Sequence, residues 1–329
     1  MEPALSVESR SDPSRARSGH FVRGSRESRF APYLFLAPFL ILFSIFTIYP
    51  AALGIYLSLT KWTGAVGQEP EMIGLANYRR MLKDPSFITS LTNTAWLAIA
   101  AVIVIVPTAL FLAMILNTHW IRLRTFLRTA FFLPIGTPTV VIAMVFIVIY
   151  SEHYGALNWL LGLFGVGPFD FTGTPAFVKP AIIGLLLWQW TSVPMIYFLA
   201  GLQGIPPSLY DAALVDGAGP WASFRRVTIP LLRPVSLLVF VLLVNDAIRI
   251  FDQIFILLFF TGAPYQTSGG PGEQGLTLVL YMYRSAFRFR ELGFGAAVGV
   301  SIFVLGLGIA LVQLWRFGAL RKEGGGAGN

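Results

Sequence analysis

The residues of this chain that have the means to do chemistry are few. Asn245, Asp246, Arg249 and Asp252 sit inside an apolar run, and the three charged ones follow at i, i+3 and i+6. On a continuous helix adjacent members of such a ladder meet. Charges at membrane depth cost at least about 2.5 kcal/mol each on insertion scales unless they pair or face water. The pattern fits a polar passage, a mutually neutralised ladder, or a contact with another chain. Trp188, Trp190 and Tyr197 occupy a second apolar run, where aromatic faces serve either stacking or packing and interface anchoring. A third cluster, Asp211-Ala212-Ala213-Leu214-Val215-Asp216-Gly217-Ala218, sets two carboxylates among small residues that let another surface approach closely.

What is missing excludes several chemistries. There is no cysteine, so thiolate nucleophiles, disulfides and cysteine metal sites are ruled out. His20, His119 and His153 are scattered, and no metal or catalytic site follows from them. The phosphate-binding pattern Gly-x-x-x-x-Gly-Lys-Ser/Thr does not occur, so any ATP chemistry belongs to another polypeptide. An intramembrane enzyme would need a nucleophile–base pair or a metal cluster, and none is legible.

The elements that must position these residues are membrane helices. Of 329 residues 55% are hydrophobic and 12% charged, and the mean hydropathy is +0.70, too apolar for an ordinary soluble domain. Apolar stretches at Tyr33 to Leu59, Ile88 to Leu116, Phe126 to Tyr150, Pro180 to Gln203, Val235 to Phe260 and Phe294 to Phe317 each reach the roughly 20 residues that span about 30 Å of hydrocarbon. The prediction is an all-α membrane protein with six transmembrane helices, since in lipid each backbone amide must be satisfied within its segment.

The net charge of +8 is spread by membrane side, which argues topology rather than nucleic acid. With a cytosolic N-terminus, Arg10, Arg15, Arg17, Arg23, Arg26 and Arg29 share that side with Arg122, Arg124, Arg128, Arg225, Arg226, Arg233, Arg316, Arg321 and Lys322. The positive-inside rule then places both termini in the cytosol. Residues 1–31 read as a disordered tail, 32–318 as the membrane domain with a cytosolic loop at 205–230, and 319–329 as a Gly-rich tail. Outside the membrane, Lys61 to Phe87 suggests a turn and a short helix, and Leu157 to Phe164 a surface helix. Leu276 to Phe289 reads as an interfacial or re-entrant helix rather than a seventh span.

Pro206-Pro207 breaks the fourth span, and Ser208 with Asp211 has capping-box spacing, so a short helix is expected to begin there. Gly217 suits a left-handed C-terminal cap, and a second short helix, Trp221 to Thr228, is expected to end at Pro230. This loop resembles the EAA motif of ABC importer permeases: Ala212, Ala213, Asp216, Gly217, Ala218, Phe224 and Pro230 match, with Asp211 where the pattern has Glu. Tyr49-Pro50, Asn77-Tyr78, Asp84-Pro85, Asn93-Thr94, Arg128 to Pro134, Gly155 to Asn158 and Leu199 to Gln203 extend the likeness, in order, to the carbohydrate-type permeases with the MetI-like fold. After Phe251 to Phe255 the family reaches Gly-Gly-Pro sooner, so 259–268 reads as an insertion.

The resemblance implies a transport subunit and not an enzyme, in a bacterial inner membrane. Its partners would be a second, paralogous permease, two ATPase subunits that bind ATP and Mg2+, and an external binding protein that delivers a sugar; no cofactor is bound by this chain. The loop from Asp211 to Ala218 would receive force from the ATPases, while Asn245, Asp246, Arg249, Asp252 and Trp190 would line the passage. A glycerol-phosphate or polyol permease, or an ion-coupled secondary transporter, are the alternatives.

Overall fold

The computed structural model describes residues 31–118, 124–259 and 269–324. The N-terminal tail, His119, Arg122 and nearly all of the 259–268 insertion lie outside them. Contacts divide the chain into two units, Met1–Ala51 and Ala52–Asn329. In the first, α1 (Ala31–Phe43) runs into a π turn at Ser44–Ile48 and the start of α2 (Tyr49–Ser58).

In the second unit a two-residue hairpin, β1 (Thr60–Lys61) with β2 (Glu71–Met72), pairs Thr60 with Met72 and precedes α3 (Ala76–Met81). The buried Asn77 amide donates to the carbonyls of Ser58 (2.9 Å) and Thr60 (2.8 Å), fixing this segment to the end of α2. Next comes α4 (Pro85–Asn117), whose first turn is capped by the Asp84 carboxylate on the Ser86 amide at 2.8 Å. Its fully buried Leu97, Ala101, Ile105, Ala109 and Ala113 recur every four residues on one face. The alanines let neighbouring helices approach, which is how packing is won where lipid removes the hydrophobic drive. The helices that use this face are α9 (Ser192–Gln203) and α13 (Arg233–Ile248).

Between them lie α5 (Arg124–Gly136), α6 (Thr139–Ile149), α7 (Ala156–Gly162) and α8 (Pro175–Trp190); α10 (Pro207–Val215), α11 (Pro220–Ser223) and α12 (Ile229–Leu231) precede α13. The chain closes with α14 (Asp252–Phe259), α15 (Leu278–Tyr283) and α16 (Leu292–Gly324). Among the described residues, Phe35–Ser58, Pro85–Asn117 and Leu292–Trp315 are long and apolar enough to cross a membrane as single helices. Six spans result when each of three bent pairs counts as one: α5 with α6 at 113°, α8 with α9 at 46°, and Pro220–Leu231 with α13 at 64°.

Several expected continuities fail for local reasons. The third span breaks because Pro138 holds extended geometry (ψ 135) and disfavours helix at Thr137. The fourth kinks at Thr191, where Pro194 offers no N–H to the Trp190 carbonyl. The fifth does not reach Phe260: it stops at Ile248, and the chain leaves the helix over Arg249–Phe251 before α14. There the Thr277 hydroxyl donates to the freed Ile250 carbonyl at 3.2 Å. Residues 276–290 form no single long helix: α15 packs on α4 and α16, and a π turn at Arg284–Arg288 packs on α16 with Phe287 and Arg288 exposed. Residues 319–324, expected as tail, continue α16.

Candidate functional site

The 205–230 segment starts from Pro206, extended at φ −59 and ψ 130, with Pro207 opening α10. The anticipated capping box does not form: no side chain caps the helix, because a proline occupies the N-cap position and Ser208 is already inside. Its C-terminus follows the sequence reading closely. Gly217 takes φ +77, its N–H donates to the Leu214 carbonyl at 3.0 Å, and the Ala218 N–H reaches back to the Ala213 carbonyl at 2.8 Å. These two bonds are a Schellman cap. No residue of α10 is buried; Asp211, Ala212, Asp216 and Gly217 are exposed, and Ala213 and Ala218 are half-buried.

The second helix does not end at Pro230. It runs Pro220–Leu231 through a π turn at Phe224–Thr228, in which the Ile229 N–H bonds the Phe224 carbonyl. The turn's wider ring carries the helix past a residue that has no N–H to give. The bend into α13 comes at Leu232 instead. Arg225, Arg226 and Arg233 are exposed along this stretch.

The intramembrane charges are only partly gathered as the ladder predicts. Asp246 and Arg249 pair at 3.9 Å with side chains 56% and 72% exposed, so the pair adds little stability. The Arg249 Nε also donates to the Asn245 carbonyl at 3.4 Å, and the Asn245 amide to the Val241 carbonyl at 3.0 Å. Asp252 leaves the ladder, because the chain break at 249–251 puts it at the start of α14. Trp190 ends α8, half-buried against the core, while Trp188 leans on Phe146 at 6.1 Å between ring centres.

A polar chain that sequence reasoning missed joins the breaks. The Gln253 amide donates to Gln189 Oε1 at 3.1 Å, and the Gln189 amide donates to Thr139 Oγ1 at 3.0 Å. Thr139 is the first residue of α6, Gln189 is next to the last of α8, and Gln253 is second in α14. Three interrupted helices therefore share one polar level, flanked in sequence by Trp190 and Asp252. Discontinuous helices around a shared polar point are how membrane transporters form binding sites without exposing backbone to lipid. The partial signal was two neutral amides inside apolar runs, Gln189 and Gln253, which a search for charges overlooks. Among the described residues no group of His, Asp and Glu is arranged to hold a metal ion.

Residues 105–316 match the family described as "binding-protein-dependent transport system inner membrane component". Among curated relatives, the arabinooligosaccharides transport system permease protein AraP of Bacillus subtilis is 32% identical over 295 residues, covering 89% of this chain and 90% of its own. The trehalose/maltose transport system permease protein MalF of Thermococcus litoralis is 33% identical, covering 88% of this chain and 94% of its own. The lactose transport system permease protein LacF of Rhizobium radiobacter is 35% identical, covering 78% and 83%. In fold, a chain of a bacterial alginate ABC transporter, crystallised with an alginate pentasaccharide-bound periplasmic protein, superposes with a TM-score of 0.72 at 23% identity, covering 86% of this chain and 92% of that one. With its family match over the membrane domain, near-full-length relatives and shared MetI-like architecture, the chain belongs to the inner-membrane permease components of binding-protein-dependent ABC transporters.

Proposed function

We propose that this chain forms one half of the translocation pathway of an ATP-driven importer for a disaccharide or oligosaccharide. The observation that carries the reading is α10: a helix with a glycine C-cap and no buried residue, on a chain without a nucleotide-binding motif. Such a helix has surface to give to a partner. Asp211, Ala212, Ala213, Asp216, Gly217 and Ala218 receive one of two ATPase subunits, which bind the ATP and Mg2+; a paralogous permease completes the pathway, and an external binding protein loads it. Both termini are cytosolic, in keeping with the arginines at 225, 226 and 233 flanking the same loop. Sugar as cargo is supported by the relatives' named substrates. The passage runs past Asn245, Asp246, Arg249, Asp252 and Trp190, with Gln189 and Gln253 offering amides to hydroxyl groups.

The test is uptake into proteoliposomes holding both permeases and the ATPase subunits, with the binding protein outside and labelled maltose, lactose or arabinooligosaccharides as cargo. ATP-dependent, vanadate-sensitive accumulation is expected. Accumulation driven by a proton or sodium gradient without ATP would replace this reading with a secondary transporter.

A further inference from the structure

We propose that Tyr210 is a positioning residue for energy coupling, acting through its hydroxyl pair with Thr228. The inference rests on the assignment of α10 as the ATPase-facing helix. Tyr210 Oη and Thr228 Oγ1 lie 3.0 Å apart, with either able to donate. Among the described residues no other hydrogen bond joins an α10 side chain to the rest of the chain. Leu209, Leu214 and Val215 face outward, Val215 at 89% exposure, whereas Tyr210 turns inward and packs against the core. The one large side chain that ties this helix inward is therefore also the one that makes a polar bond.

Where that bond lands matters more than its strength. Thr228, 5% exposed, closes the π turn and lies four residues before the bend into α13. A π turn holds one more residue than the α-helical turn it replaces, and such turns recur at functional sites. Beside the pair lies a cavity of about 280 Å³, lined among others by Met114, Asn117, Leu202 and Phe224. The Tyr210 ring packs against the core on one side and borders this cavity on the other, so its packing is incomplete and the hydroxyl contact adds a directed tie. The hydroxyl pair is thus a directed polar tie between α10 and the turn that leads into α13, the helix that carries Asn245 and Asp246. A shift of α10 pulls on Thr228, at the point where the backbone has a spare residue to redistribute.

The complete transporter in proteoliposomes tests this, with labelled maltose or arabinotriose as cargo, whichever the wild type imports, and with sugar carried per ATP hydrolysed as the readout. Tyr210→Phe keeps the ring and Thr228→Val the shape, and each loses the bond. Each is expected to lower the ratio about fivefold, at the modest end of coupling between sites. ATP hydrolysis and the amount of assembled complex should stay near wild type. The double variant should be no worse than either single one, and Thr228→Ser should restore the ratio. A wild-type ratio in Tyr210→Phe overturns the proposal. Uptake and hydrolysis falling together with complex abundance would make the pair merely structural, and multiplying single effects would make the residues independent; either overturns it too. Failure of the wild-type assembly to couple uptake to ATP would remove the assignment of α10 itself, whereas a coupled wild type with a coupled Tyr210→Phe removes this inference alone.

Discussion

Gly217 gives the most quantitative test of the coupling helix. Its φ of +77 belongs to the left-handed region, yet a Cβ built there meets nothing within 4 Å. A substitution consequently costs backbone energy alone, with no steric contribution to confuse it. Alanine in this region costs about 1–2 kcal/mol, asparagine less because it tolerates the conformation, and a β-branched valine more. Proline cannot adopt the angle at all, and it removes the N–H that donates to the Leu214 carbonyl. If the ATPase subunit must meet the capped form of the loop, uptake falls by the fraction of molecules that keep it, roughly tenfold for each 1.4 kcal/mol. The expected order of ATP-dependent uptake is wild type, Gly217→Asn, Gly217→Ala, Gly217→Val, Gly217→Pro, with Gly217→Ala down by at most about five- to thirtyfold and Gly217→Pro inactive. Membrane abundance and binding-protein affinity for sugar should not change, because the residue is exposed and outside the core. Full uptake by Gly217→Pro, or equal loss in Gly217→Asn and Gly217→Pro, would refute the reasoning.

Other sites give independent expectations. Gln189→Leu leaves the buried Gln253 amide without its acceptor and should cost about 1–3 kcal/mol, seen as a lowered thermal midpoint in detergent; the Gln189→Leu/Gln253→Leu double variant should lose less than the two single losses combined. Equal and additive losses would show that the amides do not act as a pair. The Gln313 amide is buried with no hydrogen-bond partner among the described residues, so Gln313→Leu should raise the thermal midpoint, and a fall would count against the burial argument. At Gly293 a Cβ would lie 2.1 Å from the Thr60 backbone carbonyl, so Gly293→Ala should reduce folded protein in membranes, whereas Gly306→Ala, with nothing within 4 Å, should not. Glu273→Gln removes the charge that pairs with buried Arg284 at 2.7 Å; with Glu273 itself partly exposed, the loss should fall below the about 3–5 kcal/mol of a fully buried pair, read as earlier unfolding on heating.

The sequence made the membrane class, the helix type and the loop's C-terminal cap legible because each depends on local rules: apolar length, backbone satisfaction in lipid, and glycine at a left-handed position. Gly217 is the clearest case, since its angle follows from its neighbours in the chain alone. The errors have the opposite character. Pro138 and Pro194 were visible as residues, but an apolar run of sufficient length does not reveal whether a proline bends a span or ends it. The break over Arg249–Phe251 contains neither proline nor glycine, and the Thr277 hydroxyl that satisfies Ile250 comes from a distant segment. Likewise, Ser208 and Asp211 had capping spacing, but Pro206 took the N-cap position and left the box unformed. The Thr139–Gln189–Gln253 chain exists only after three breaks meet, so no pattern within one element contains it.

That chain and α10 are connected by two struts. One is α9, 12 residues from the break at Thr191 to Gln203 just before α10, or about 18 Å of helix. The other is α13, 16 residues from the bend at Leu232 to the break at Arg249, or about 24 Å. They touch closely at their loop ends, where a Cβ on Gly201 would come 2.8 Å from Leu232 and 3.0 Å from Val235. Both also pack on the alanine-rich face of α4, which is continuous and gives them a common rail. Helices are stiff along their axes, and a close-packed crossing at a glycine lets one slide over the other without first opening a gap. On the proposed coupling role, movement of α10 would be carried through α9 towards Gln189 and through α13 towards Asp246 and Arg249. A bulky Gly201→Leu would wedge the struts apart at their shared end, which makes it a stronger uncoupling change than any single loss at the polar level.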